Sequence, residues 1–188
     1  MSRTKKISDE AVLDGALRVM YRAGPEAFTL AAVATETGLA PATLLQRFGD
    51  KQGLVVRAIG RDNGEFARMI GEAPAAVGRD AVLDLFWLLT PDIDDPKALA
   101  DRLLWLREDF RNAELGALAR ARFDLLRAAI ARRLPPLALA PSVAARLLEA
   151  QWQGAVNQWS FFHEGRLLDY VARCLNEWFD LAEGARSP

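Results

Sequence analysis

The stretch from Thr29 to Leu54, TLAAVATETGLAPATLLQRFGDKQGL, constrains the fold of this chain more than any other. Thr29 is placed to cap a helix, because its hydroxyl can accept a bond from an amide that the first turn leaves orphaned. Leu30, Val33 and Ala34 then recur at helical spacing and face inward. Gly38 stands where the residue after a helix must take positive φ, which glycine alone adopts cheaply. Leu39 returns to the core after that turn. Pro41 fits the first turn of a second helix, where a missing N–H costs nothing. Leu44 and Phe48, four apart, anchor that helix, and Thr43, Gln46 and Arg47 are left pointing outward. Asp50 can cap a third helix. This is the layout of a helix-turn-helix, whose second helix can enter a DNA major groove.

Little else in the composition competes with that reading. A chain of 188 residues, 51% hydrophobic and 26% charged, has room for one or two small domains with real cores. No apolar run spans a bilayer, and MSRTKKISDE lacks the apolar segment of a secretory signal. The single Cys174 excludes an internal disulfide framework. The expectation is a cytoplasmic protein with no membrane partner. Net charge is −1, but residues 1–61 carry nine Lys/Arg against six Asp/Glu and residues 62–188 fifteen against nineteen. A mildly basic head on an acidic body suits a DNA-binding domain joined to something else, although splits of this size also arise by chance. Arg3, Lys5 and Lys6 form either a minor-groove or phosphate-seeking arm or a solvated tail.

Strand signals are nearly absent, and Ala, Leu, Arg and Glu dominate, so the expected fold class is all-α. A first helix begins after Ser8, with Asp9 and Glu10 in the turn that the helix dipole favours for acids, and stops at Gly24-Pro25. The spacing then predicts a helix over 51–70 after the helix-turn-helix, and others over 75–90, 97–109, 113–134, 142–163 and 166–183. The tail from Gly184 is expected to fray. The organisation is a three-helix DNA-binding domain (1–50), a connecting helix (51–70) and a helical-bundle body for ligand sensing and dimerisation (71–188).

Base readout falls to the outward side of the 41–48 helix. Arg47 can pair bidentately with guanine, Gln46 with adenine, and Thr43 can touch a thymine methyl or a phosphate. Arg47 can equally serve as a phosphate clamp or a solvated cation. Pro41 and Ala42 are small enough for close approach to bases, and Leu45 can pack on a thymine methyl or a sugar. Thr29 and Lys51 stand at helix N-termini, whose amides add partial positive charge for a phosphate. Catalysis has no support: one histidine, one cysteine, no HExxH, no CxxC and no glycine-rich phosphate loop. Adjacent carboxylates such as Glu108 and Asp109 diverge on a helix, and His163 with Glu164 makes no metal pair. No cofactor is called for. A non-catalytic helical interaction adaptor would explain the aromatic C-terminal helices but not the 29–54 layout.

Residues Ile7 to Leu54 resemble the N-terminal domain of TetR-type transcriptional regulators. The matching elements are the leading helix ending in Ala23-Gly24, Phe28-Thr29, the Ala31–Ala34 helix, the Gly38 turn, Pro41-Ala42-Thr43-Leu44, and Phe48-Gly49-Asp50-Lys51. In such relatives a tyrosine three residues before the phenylalanine helps hold a phosphate; this chain has Leu45, which cannot donate that bond. The resemblance implies a phosphate contact at Lys51 and a dimeric repressor released from a double-stranded operator by a small, largely apolar effector. Trp87, Trp105, Phe110, Phe123 and Trp152 can line an effector cavity, with Arg102, Asn157 or His163 supplying polar selectivity; each aromatic can instead be ordinary core. An eight-residue recognition helix buries too little for tight binding alone, and helix-turn-helix dimers place two about 34–36 Å apart. Leu148, Trp152, Ala155, Trp159 and Phe162 on one C-terminal helix, and Leu168, Val171, Leu175, Trp178 and Phe179 on the next, fall at three- and four-residue spacing. By the resemblance they form an intersubunit four-helix bundle; the alternative is that the stripe faces the subunit's own core.

Overall fold

A computed structural model describes residues 7–22, 24–91 and 95–184. Arg3, Lys5, Lys6, Ala23 and the tail beyond Gly184 lie outside the described residues. The described residues form nine α-helices and no strand: α1 (Asp9–Arg22), α2 (Leu30–Thr37), α3 (Pro41–Phe48), α4 (Lys51–Glu72), α5 (Arg79–Leu89), α6 (Pro96–Arg111), α7 (Ala113–Arg133), α8 (Pro141–Phe162) and α9 (Leu167–Gly184). The all-α expectation holds. One boundary moves by more than two residues: the helix expected from 75 starts at Arg79, because Gly78 sits at φ 135°, which a helix cannot include, and its N–H donates to Arg133 O. No helix among the described residues is long and apolar enough to cross a membrane.

The chain divides into two compact units, one reaching Phe66 and including Ala100–Arg120, the other made of Ala67–Leu99 and the residues from Ala121 on. In the first unit, α1 contributes Val12, Ala16, Val19 and Met20 to a core completed by Phe28, Val33, Ala34, Leu44, Phe48, Leu54, Val55 and Ala58. These are the positions that helical spacing assigns to one side of each element. The core also takes in Leu115 of α7, with Trp105 and Leu118 packed against it. Trp105 stands edge-on to Phe28 at 5.6 Å between centroids, and its indole N–H donates to Met20 O at 3.1 Å. Asn63 of α4 donates to Leu118 O at 2.8 Å. A length of sequence far from the helix-turn-helix therefore finishes its core.

An eight-residue helix is too short to persist in water alone, where isolated helices below about 12–15 residues are marginal. Tertiary burial must hold α3. Leu44 is fully buried and Phe48 nearly so, and each such side chain contributes roughly 1.5–3 kcal/mol. The α3–α4 junction is tight because Gly53 lets the backbones touch: a Cβ there would lie 2.3 Å from Phe48 O. The Gly53 N–H also donates to Asp50 Oδ1 at 2.7 Å, the expected cap of α4.

In the second unit α8 and α9 pair extensively. Leu148, Ala155 and Trp159 of α8, and Val171, Leu175 and Phe179 of α9, are buried. His163 ends α8 in the left-handed conformation, and the Trp159 indole donates to Gly165 O at 2.9 Å across that turn. Phe86 of α5 packs on Trp152, whose N–H donates to Thr90 Oγ1 at 2.8 Å. Both buried charged residues among the described ones are held. Glu149 pairs with Arg127 at 2.8 Å, and Arg133 donates to the carbonyls of Ala73, Pro74 and Ala129. Burial, with Arg132 nearby, pulls the Arg133 guanidinium below its usual range. Such groups require partners because a buried unpaired charge is strongly destabilising.

Two alanine substitutions on α4 separate these causes. Gly53→Ala should destabilise the protein by roughly 1–3 kcal/mol, as overpacking against a rigid neighbour does. Gly60→Ala, with open space around the new Cβ, should stabilise it by about 0.5–1 kcal/mol through helix propensity. Denaturant unfolding of both checks the pair; equal effects would show that the α3–α4 contact is not tight.

Candidate nucleic-acid interface

The turn before α3 is built as the sequence requires. Thr29 has extended backbone angles and its Oγ1 accepts from the Ala32 N–H at 3.0 Å. Gly38 closes α2 at φ 70°, and Leu39 N donates to Ala34 O at 3.1 Å. Pro41 is the first residue of α3, where the Ala40 side chain offers no cap. Glu36 ties α2 to α1, its two oxygens accepting from Arg18 Nε at 2.7 Å and from Arg22 at 3.2 Å. These two hydrogen-bonded guanidiniums hold the Glu36 carboxyl below its ordinary value.

With Leu44 and Phe48 turned inward, the face of α3 left open comprises Pro41, Ala42, Leu45 and Gln46. Leu45 keeps 44% of its surface exposed. Proline, alanine and leucine at these positions leave a face that can approach a groove floor closely, with one amide for hydrogen bonding. Two positions expected to point outward are only partly exposed. Thr43 is half-buried, and the Arg47 side chain is only 18% exposed because it folds back onto Asp9 at the start of α1. Arg47 Nε donates to Asp9 Oδ1 at 2.6 Å, its Nη2 meets the same oxygen, and the guanidinium lies 5.6 Å from the Phe48 ring centroid. The reason is positional: the last turn of α3 faces the N-terminus of α1, where an acid is already favoured by the helix dipole.

Flanking α3, Thr29 and Lys51 are exposed at the first turns of α2 and α4. Lys51 Nζ donates to Pro25 O at 3.1 Å and lies 5.7 Å from the Phe28 ring centroid. Sequence reasoning missed Arg57 of α4, which is exposed, stacks on the Phe48 ring and donates to Arg47 O at 3.4 Å. Its signal was present as a second cation on the helix that Lys51 begins. Asp9 was read for its place at the helix dipole and not as a partner of Arg47.

The residues assigned to an effector separate. Trp105 and Phe110 belong to the first unit, the former engaged with Phe28 and the latter 80% exposed. Trp87, Phe123, Trp152, Asn157 and His163 belong to the second unit, where Trp87 and Asn157 are exposed and Phe123 and Trp152 half-buried. The Arg102 side chain lies outside the described residues. A cleft of about 500 Å³ in the first unit is lined by Pro25, Glu26, Lys51, Leu104, Arg107 and Glu108. Another of about 300 Å³ in the second lies between Val77 and the Leu134–Pro141 segment. Neither contains a residue assigned to an effector. Of the residues assigned to an intersubunit face, Leu148, Ala155, Trp159, Val171 and Leu175 have almost no exposed surface in the protomer. Leu168 and Trp178 are half-buried, and Phe162 is largely exposed.

Residues 12–58 match the family model described as bacterial regulatory proteins, tetR family. Solved structures are similar over nearly the whole chain. A transcriptional regulator from Rhodococcus sp. Rha1 has a TM-score of 0.79 at 15% identity, covering 95% of this chain and 97% of that one. A Saccharomonospora viridis protein, described as a transcriptional regulator in complex with choline, has a TM-score of 0.71 at 20% identity, covering 92% and 95%. The transcriptional regulator FadR from Bacillus subtilis, in complex with stearoyl-CoA, has a TM-score of 0.62 at 15% identity, covering 94% and 99%. At these identities the likeness establishes the fold. A comparison with curated proteins finds no match.

The Glu36 contact gives a pH test. Its folded carboxyl titrates below the ordinary value of 4.5, so the fold favours the ionised form. The contribution is complete above that value and is lost as pH falls through the folded one. Glu36→Gln should therefore be less stable than the parent at neutral pH, with the two converging in acid. Thermal unfolding across pH checks this, and an offset that stays constant down to acid would contradict it.

Proposed function

We propose that this chain, a TetR-type transcriptional regulator by its N-terminal domain, binds a double-stranded DNA operator as a homodimeric repressor and leaves it when a small, largely apolar effector binds. The observation that carries the DNA reading is the open face of α3: Leu44 and Phe48 bind the helix to the core while Pro41, Ala42, Leu45 and Gln46 remain accessible. In this reading Gln46 pairs with adenine, Leu45 packs on a thymine methyl or sugar, and Pro41 and Ala42 permit close approach. Thr43 reaches a phosphate or thymine methyl from the edge. Thr29 and Lys51 bind phosphates at the N-termini of α2 and α4, Lys51 exchanging Pro25 O for the duplex. Arg47 reaches guanine or phosphate by leaving Asp9.

The dimer reading is supported by apolar side chains that α8 and α9 leave exposed. Leu147, Phe161 and Phe162 of α8 and Leu181 of α9 are exposed in the protomer, and large exposed apolar side chains suit an interaction surface. The effector reading is supported by the choline and stearoyl-CoA complexes of two proteins with this fold. Within the second unit Trp87, Phe123, Trp152 and Asn157 are the candidate contacts, and on the first unit Arg102, Trp105 and Phe110. An effector releases DNA only by its differential affinity for the two states. A preference of about 10⁴-fold, or about 5.5 kcal/mol, inverts a 99:1 equilibrium.

A duplex enriched from a random library by the purified protein tests the reading. Gln46→Ala should lose roughly 1–3 kcal/mol of discrimination at one base pair. Lys51→Ala should weaken enriched and random duplexes alike and lower the salt slope by about one. Unaltered binding by both variants at every salt concentration would overturn the assignment. For the assembly, light scattering should give twice the chain mass for the parent and a shift toward monomer for Phe161→Ser/Phe162→Ser. A parent that runs as a monomer would refute the dimer.

A further inference from the structure

Arg47 is the one cation in α3, and a carboxylate from another helix already holds it. Both Nε–H and an Nη2–H donate to Asp9 Oδ1. That is the forked edge with which a guanidinium grips two phosphate oxygens or a guanine. Exposure is unequal: 57% of the Asp9 side chain is open to solvent against 18% for Arg47. An approaching duplex therefore meets the acid before the base. The arrangement is braced from behind, since the Arg47 and Arg57 guanidiniums each lie 5.6 Å from the centroid of the Phe48 ring. Two cations on one ring repel each other, and Asp9 offsets that repulsion while the helix dipole of α1 offsets the charge of Asp9.

We propose that Asp9 is an intramolecular competitor for the DNA backbone at Arg47. It occupies the phosphate-gripping edge of the recognition helix and so holds down sequence-independent affinity. This rests on the DNA-binding reading of α3. On a random duplex the pair stays closed, and the face that DNA meets is the uncharged Pro41, Ala42, Leu45 and Gln46. Asn at position 9 keeps the size and the capacity to accept a hydrogen bond but removes the charge that holds Arg47. The cation then becomes available to any phosphate.

The test measures the full-length parent, Asp9→Asn, Arg47→Ala and the double variant on a random-sequence duplex. Asp9→Asn should bind up to about fivefold tighter at 50 mM salt, the fold-change matching the upper end for an exposed ion pair. One added phosphate contact should make its affinity fall about threefold further than the parent's between 50 and 200 mM. In the Arg47→Ala background the Asp9→Asn gain should vanish. A gain of the same size there would show general repulsion of DNA by Asp9 and overturn the competitor role. So would an unchanged affinity in Asp9→Asn. A second readout needs no DNA: the Arg47 Nε–H resonance of the free protein should move in Asp9→Asn, and an unmoved resonance sinks the proposal. A parent that binds no duplex at 50 mM, with that resonance moved, would instead remove the DNA-binding reading on which the proposal stands.

Discussion

The burial of Leu44 and Phe48 is the contact on which the rest of the helix-turn-helix depends. The helix they belong to has eight residues, too few to stay folded in water by its own hydrogen bonds. Two side chains four apart commit one side of α3 to the core of α1, α2 and α4. Everything on its other side is then open by geometry. The same commitment fixes where the neighbouring cations lie. Phe48 is the ring on which Arg47 and Arg57 rest, and the close approach at Gly53 sets the start of α4, from which Lys51 projects. A weaker anchor would loosen the open face and the charges beside it together.

The electrostatics of this head are local. Among the described residues of the interface, each cation named above has an intramolecular partner: Arg47 with Asp9, Lys51 with Pro25 O, Arg57 with Arg47 O. These are surface interactions of about 1 kcal/mol or less, so a polyanion can exchange with them. In the proposed DNA complex, affinity is a difference between two sets of contacts, one within the protein and one with phosphate. That makes it sensitive to acids on the protein as well as to bases. The small charge excess of residues 1–61 is therefore a poor guide to how much positive charge the duplex encounters.

Local chemistry made α2, the turn and α3 legible in the sequence. Thr29, Gly38 and Pro41 are each a residue type that a particular helix-boundary position favours, and Leu44 with Phe48 states which side is buried. Most later helices were also legible, from proline and glycine breaks; the break at Gly78 was not, since its N–H bonds to Arg133 O, far along the chain. What escaped was tertiary. Angular position on α3 puts Arg47 outside, but spacing cannot reveal that Asp9, 38 residues earlier, stands beside it. Nor can it reveal that Trp105 and Leu115 complete the first unit's core. Periodicity in α8 and α9 marked apolar faces correctly yet could not say which partner covers them. Leu148, Trp159, Val171 and Leu175 are buried within the chain, leaving Phe161 and Leu181 outside.

Hydroxyl-radical footprinting of an enriched duplex tests most directly whether α3 is a groove-entering element carried by paired subunits. The account predicts two protected patches on one face of the duplex, about 34–36 Å apart or a multiple of that. They should shrink together when Leu44→Ala removes the anchor of α3 in a protein whose second unit stays folded. A single patch, or protection that survives the loss of Leu44, would contradict it.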